Sequence, residues 1–180
     1  MAKFRQSAAI APAAALAGLG VVSLLRLRAA SKETDQNQER VSRHLATFDD
    51  LDFNVFSNQK WNEFDRSHSR DIVVYWPDGH TTMGIEKHID DLKTMFTYAP
   101  DLKVTSHPIK IGQGDWTAVT GVMEGTFTRP MRTADGRTIR PTNKSFKLNM
   151  ATIGHWNADD VMDEEHLFWD NADLTRQLEI

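Results

Sequence analysis

A chain of 180 residues with 40% hydrophobic content is long enough to bury one substantial core. It has no cysteine, which excludes disulfides, thiolate nucleophiles and Cys-ligated zinc or iron–sulfur sites in any compartment. The net charge is −4, but Lys3, Arg5, Arg26 and Arg28 fall in a first thirty residues free of acid; the remainder sets 17 of the 21 basic side chains against all 25 acidic ones, a balance that excludes phosphate tracking and predicts no nucleic-acid partner.

Residues 1–32 read as a targeting or anchoring segment with the start of a linker, and 33–180 as the folded domain. A basic start leads into an apolar stretch over residues 8–25, followed by Arg26 and Arg28. A secretory signal, an uncleaved membrane anchor and an organellar transit peptide all fit this pattern; Arg28 close to Ala30 weakens the cleavage site. The expectation is an exported or membrane-anchored protein attached through residues 8–25, or a cytoplasmic one if the segment is not a functional signal. Ser31 to Arg43 is a linker or the exposed start of a helix.

Helical spacing then follows in Val41, Leu45 and Phe48, continuing to Leu51, Val55 and Phe56, with a further turn or two over Lys60 to His68. Asp71 and the run Ile72 to Trp76 form the first strand, stopped by Pro77-Asp78-Gly79. Ile85, Ile89, Leu92, Met95 and Phe96 predict a helix that Ala99-Pro100-Asp101 ends. Strands are expected over Lys103 to Ile111, Trp116 to Thr128 and Lys144 to His155, with Gly121 and Gly125 marking bends in a curved sheet. The loop Arg129 to Asn143 is long for a hairpin and could fold over a cavity mouth. Helices first and antiparallel strands after them indicate an α+β fold.

The last third carries the candidate chemistry. A turn at Asn157-Ala158-Asp159-Asp160 joins two strands, and alternation projects Met162, Glu164, His166, Phe168 and Asp170 together, with Val161, Asp163, Glu165, Leu167 and Trp169 on the opposite face. The first set suits a half-buried pocket in which a carboxyl is raised toward neutrality and works as acid or base. Asp170 also stands where it would cap a final helix, and both readings stay open. His155 is a candidate partner for Asp170 if a bulge at Gly154 re-aims it. Trp76, Phe127 and Phe168, with His166, are candidates to face a planar ligand. The seven histidines show no local metal-ligand spacing, so no metal is expected. Phosphate loops and G-x-S-x-G elbows are absent.

From about Asp52 to Leu178 the chain resembles the SnoaL-like polyketide cyclase (ester cyclase) family of the nuclear-transport-factor-2-like superfamily. The resemblance rests on Trp61 to Asp65, Trp76-Pro77-Asp78-Gly79, Tyr98-Ala99-Pro100-Asp101, Gly121 to Thr126 and Pro141-Thr142-Asn143-Lys144, and on Met162-Asp163-Glu164 with Asp170 and Gln177-Leu178 beyond. Asn143 and Glu179 depart from glycines of the family pattern, and His166 from its usual aromatic. The resemblance implies a curved antiparallel sheet around a cone-shaped pocket (nuclear-transport-factor-2-like or cystatin-like), with helices across its open side. It also implies a small hydrophobic substrate and cofactor-free aldol closure with an aspartate on the last strand, Asp170 by position, aided by a histidine or by protonated Glu164. The rival expectation is a module that carries or senses a small apolar ligand, or forms a homodimer through the sheet's outer face, and turns nothing over.

Overall fold

The computed structural model describes the backbone of residues 14–133 and 135–180, with side chains from residue 26 onward. Two compact units divide between Gln38 and Glu39. Helix α1 (Ala14–Asp50) contributes to both. In the first unit, residues 26–36 are exposed, and Thr34 donates to the Ala30 carbonyl at 2.9 Å. Of the two readings of Ser31 to Arg43, the helical one holds, because Lys, Glu, Gln and Arg favour helix and no glycine or proline interrupts them. The apolar stretch 8–25 lies outside the residues whose side chains are described; among the described residues no helix is long and apolar enough to cross a membrane.

In the second unit Val41, His44 and Phe48 bury one stripe of α1, which widens into a π-helical turn (Leu51–Phe56) that buries Leu51, Asp52, Val55 and Phe56. A 3-10 turn (Trp61–Arg66) leads into β1 (His68–Tyr75), β2 (Thr81–Met83) and α2 (Ile85–Tyr98). The strands β3 (Lys103–Gln113), β4 (Trp116–Thr126), β5 (Met131–Arg132), β6 (Thr138–Ile139), β7 (Ser145–Trp156) and β8 (Met162–Trp169) precede the terminal helix α3 (Asn171–Leu178).

The main sheet is a curved, unclosed, six-stranded one in the order β2-β1-β8-β7-β4-β3. Its pairings are antiparallel except for β1 with β8, where Val74 faces Glu165 in a parallel register. A parallel pair needs a long crossover, and the whole chain between β1 and β8 provides it; the expectation of a wholly antiparallel sheet is corrected at this one seam.

At Gly121 and Gly125 the register of β4 with β7 is unbroken, running from Trp116 opposite His155 to Thr126 opposite Ser145. A Cβ at either glycine would come within 2.9 Å of the side chain of its cross-strand partner, Met150 or Phe146. The glycines therefore make room for these two large residues on the inner face. The irregularities lie elsewhere: in edge strand β3 around Pro108, which has no N–H to pair, in β1 after His68, and between β7 and β8 beside Asp163.

Helices and the inner sheet face close one core containing Phe48, Phe64, Met123, Leu148, Trp156 and Leu167. On the outer face Tyr75, His166, Ile153, Ala118 and Ile111 are successive register partners across five strands. Near this row Trp116, Ile109 and Phe168 are exposed. The 129–143 loop forms the two-stranded β5-β6 ribbon, with Met131 and Ile139 against the core. Among the described residues it lends no side chain to the cavity described next.

Candidate functional site

Between the inner sheet face and the helices lies a cavity of about 40 Å³, measured as space open to the centre of a water molecule. Its walls are largely apolar, including Leu51, Phe64, Leu92, Met123 and Leu167, and five polar side chains join them: Asp52, His68, His88, Thr152 and Glu165.

Each functional side chain is aimed by a local feature. His155 pairs with Glu164 but Trp156 pairs with Met162, so Asp163 is the extra residue of a bulge. The bulge resets the alternation: Met162 is buried before it, Glu165, Leu167 and Trp169 line the cavity after it, and Glu164, His166 and Phe168 are left on the outer face. His88 shares the inward stripe of α2 with Ile85, Leu92 and Phe96. His68 begins β1, with its Nδ1 2.9 Å from Ser67 Oγ and 3.3 Å from the Phe64 carbonyl. His107 precedes Pro108 in the irregular part of β3, and its side chain is only 1% exposed.

Two clusters result. In the first, Glu165 Oε2 stands 3.4 Å from His88 Nε2 and 3.8 Å from His68 Nε2. Neither that oxygen nor His68 Nε2 has a hydrogen-bond partner among the described residues. Burial alone would raise the Glu165 carboxyl, but the imidazoles of His68 and His88 outweigh it and hold the group below its ordinary value. Burial pushes His88 down to about 4, so its ring is neutral near pH 7.

In the second cluster, His107 Nε2 lies 2.7 Å from Asp52 Oδ2 and Nδ1 lies 2.8 Å from Asp49 Oδ1, while Lys110 donates to Asp49 Oδ2 at 2.7 Å. Burial raises the Asp52 carboxyl against the opposing pull of His107, and the nearby charge of Glu165 adds to the rise. Burial would lower His107, yet its bonds to Asp52 and Asp49 win and raise it. For Asp49 a small burial effect is outweighed by Lys110 and His107, and its carboxyl is lowered.

This cluster predicts a pH dependence of stability. A His raised above its ordinary 6.5 stabilises the fold fully below that value, and the contribution is lost as pH rises through the raised folded value. Asp49 works at the other end: its contribution is present above 3.8 and lost as pH falls through its lowered value. Urea midpoints should therefore decline on the alkaline side of pH 6.5, and His107→Gln should remove that decline. An unchanged alkaline slope in the variant would assign it to other groups.

The residues expected from sequence are placed otherwise. Asp170 is exposed and caps α3, its Oδ1 accepting from the Ala172 and Asp173 amides at 2.8 and 3.0 Å. The cap reading held open for it is formed, and the carboxylate also borders an open hollow with Pro77, Phe168 and Trp169. Glu164 pairs with His166 at 2.7 Å, and His155 with Asp163 at 2.6 Å rather than with Asp170, both on the outer face. Phe168 is half exposed. Trp76 is core, donating to Thr82 Oγ1 at 2.9 Å, and Phe127 is fully buried against Tyr98. None of these seven lines the cavity. Asp52, His68, His88, His107 and Glu165 were missed. For two of them a signal existed: His88 falls on the apolar stripe of the helix from Ile85 to Phe96, and Glu165 belongs to the second face of the last strand.

Residues 46–178 match the model of the family described as SnoaL-like polyketide cyclase. No curated protein matches the chain. Among solved structures, one named as a SnoaL-like polyketide cyclase from Jannaschia sp. CCS1 is similar with a TM-score of 0.65 at 15% identity, over 78% of this chain and 92% of that one. IdmH from Streptomyces antibioticus, named as a polyketide cyclase, gives 0.63 at 19% identity, over 78% and 99%. A protein of ketosteroid isomerase-like fold from Catenulispora acidiphila, solved with trimethylamine, gives 0.60 at 12% identity, over 76% and 92%. At such identities the likeness is one of fold.

Proposed function

The chain belongs to the SnoaL-like polyketide cyclase family, and from that premise we propose that it carries out acid/base, aldol-type chemistry on a hydrophobic carbonyl or ester compound, without an organic cofactor, at the buried cavity between sheet and helices. One observation carries the reading. A buried carboxylate of raised pKa, Asp52, hydrogen-bonded to an imidazole, lines the same apolar cavity as Glu165, His68 and His88.

Asp52 is the base that removes a proton from the carbon next to the carbonyl. Its raised pKa brings it closer to the range in which a carboxylate accepts such a proton, and His107, tethered by Asp49, holds the carboxylate in place. Charge develops on the carbonyl oxygen as the proton leaves. An N–H of the neutral His88 ring, whose Nδ1 has no hydrogen-bond partner among the described residues, stabilises that oxygen, and the apolar walls keep water from competing. Enolate formation is the step shared by every aldol-type closure, so it is testable before the natural substrate is known. A panel of small β-keto esters in D₂O should exchange deuterium at the α position in proportion to protein. Exchange at the buffer rate across the panel would overturn the proposal.

The second reading, a small-ligand binding or dimerisation module, draws on the cavity's size, since about 40 Å³ of such space holds a few waters. It draws also on the exposed apolar row across the outer sheet face. Ligand recovered chemically unchanged, with no exchange, would favour it.

The proposal extends to location: the apolar stretch 8–25 between basic flanks exports the protein or holds it at a membrane. Cell fractionation with sequencing of the mature N-terminus should find a chain starting near Ala30 or Ser31, or a full-length chain in the membrane fraction. A full-length chain in the soluble cytoplasmic fraction would overturn this.

A further inference from the structure

Three donor atoms from three separate elements converge in the cavity: His68 Nε2 of β1, His88 Nε2 of α2 and Glu165 Oε2 of β8 all lie within 4.8 Å of one another. We infer that these residues form a binding site for one divalent transition cation of the zinc or ferrous class, held by two imidazole nitrogens and a carboxylate with coordination positions open to the cavity.

Several independent features point this way. All three side chains are buried, and His68 Nε2 and Glu165 Oε2 have no hydrogen-bond partner among the described residues, an arrangement that costs energy unless something electrophilic sits between them. The 3.4 and 3.8 Å separations of Glu165 from the two histidines are close to the ~3–3.5 Å between neighbouring ligands around an ion with bonds of about 2.0–2.2 Å. His68 is held as a ligand needs to be: Nδ1 is engaged by Ser67 Oγ, which itself donates to the Phe64 carbonyl at 3.2 Å, leaving the Nε2 lone pair facing the cavity. Two histidines and one carboxylate with open positions suit zinc or ferrous iron; a site without thiolate does not select soft monovalent copper.

The inference deepens the acid/base reading of the same cavity, on which its chemical consequence rests: a bound cation would polarise the carbonyl whose α proton Asp52 removes. The expectation from sequence of no metal is set aside here.

The test uses the full chain, stripped with a chelator and then titrated with Zn²⁺ and with Co²⁺ as a spectroscopic probe. One ion per chain is expected, with an X-ray absorption spectrum of the wild-type protein showing two imidazole nitrogens and carboxylate oxygen. His88→Gln and Glu165→Gln should each weaken Zn²⁺ binding by more than about 100-fold. Ser67→Ala, which removes only the tether of His68, should weaken it by roughly 10–100-fold. His155→Ala, on the outer face, should leave it unchanged. No stoichiometric uptake at micromolar Zn²⁺, fewer than two imidazoles in the wild-type spectrum, or uptake that survives both ligand substitutions would overturn the site; the spectrum decides even if a ligand variant fails to fold. Metal uptake without α-proton exchange would leave this site standing and defeat the acid/base reading, and exchange by a protein that takes up no metal would do the reverse.

Discussion

Asp52→Asn lowers the rate of α-proton exchange by roughly 10²–10⁴-fold, the usual contribution of a positioned general base, while the protein stays folded. The substitution keeps size and shape, and an amide oxygen still accepts from His107 Nε2, so the geometry of the cluster survives. It also removes a charge whose burial is unfavourable, as the raised Asp52 carboxyl records, so unfolding by urea should show no loss large enough to explain the rate. His107 keeps its bond to Asp49. Asp170→Asn is the matched control. Asn caps a helix as well as Asp does, and the exposed Asp170 carboxylate lies outside the cavity, so exchange should be unaffected. Full activity in Asp52→Asn, or its loss in Asp170→Asn, would move the base back to the last strand.

Trp156→Ala destabilises the domain by about 3–5 kcal/mol, the range for deleting a large buried aromatic. The indole is 1% exposed and stacks on His44 with ring centroids 4.4 Å apart and 3° between planes. It meets Phe48 edge-on at 6.2 Å, and its Nε1–H donates to the buried Thr117 hydroxyl at 2.8 Å. Truncation therefore opens a cavity and leaves Thr117 without this donor. His44 adds a second tie, Nε2 donating to Asp160 Oδ1 at 2.7 Å, so the same region fastens the end of α1 to the β7–β8 turn. That end of α1 carries Asp49 and leads directly into the turn bearing Asp52. Activity should fall with stability in this variant. Trp116→Ala, on the outer face where the ring is 42% exposed, should change stability by no more than about 0.5 kcal/mol. Urea unfolding of the two variants side by side checks both values; comparable losses would mean that the outer face is covered in solution.

The element order was legible because hydrophobic periodicity is a local signal. Ile85, Leu92 and Phe96 mark α2 on a stripe that holds whatever it packs against, and Phe146, Leu148 and Met150 do the same for β7. Pro77-Asp78-Gly79 and Asn157 to Asp160 mark turns through their own backbone preferences. Residue types also settled the lack of thiol chemistry and the acidic balance of the folded part, and the ordered run of short motifs was specific enough for the family.

What the chain could not disclose locally is which face of each strand turns inward, because a period of two labels the faces without saying which is buried, and one bulge exchanges them. Glu164, His166 and Phe168 do share a face, as alternation requires, but the bulge at Asp163 and the packing of helices against Glu165 and Leu167 make it the outer one. The candidate site depends on such long-range placement throughout. His68, His88 and Glu165 are separated by tens of residues and obey no ligand spacing, and Asp52 meets His107 only because the edge strand is irregular at Pro108. Sequence by itself determined the main helices and long strands, their order and the family; tertiary structure alone decided which carboxylates and imidazoles lose water together, since desolvation and pKa depend on neighbours in space rather than along the chain.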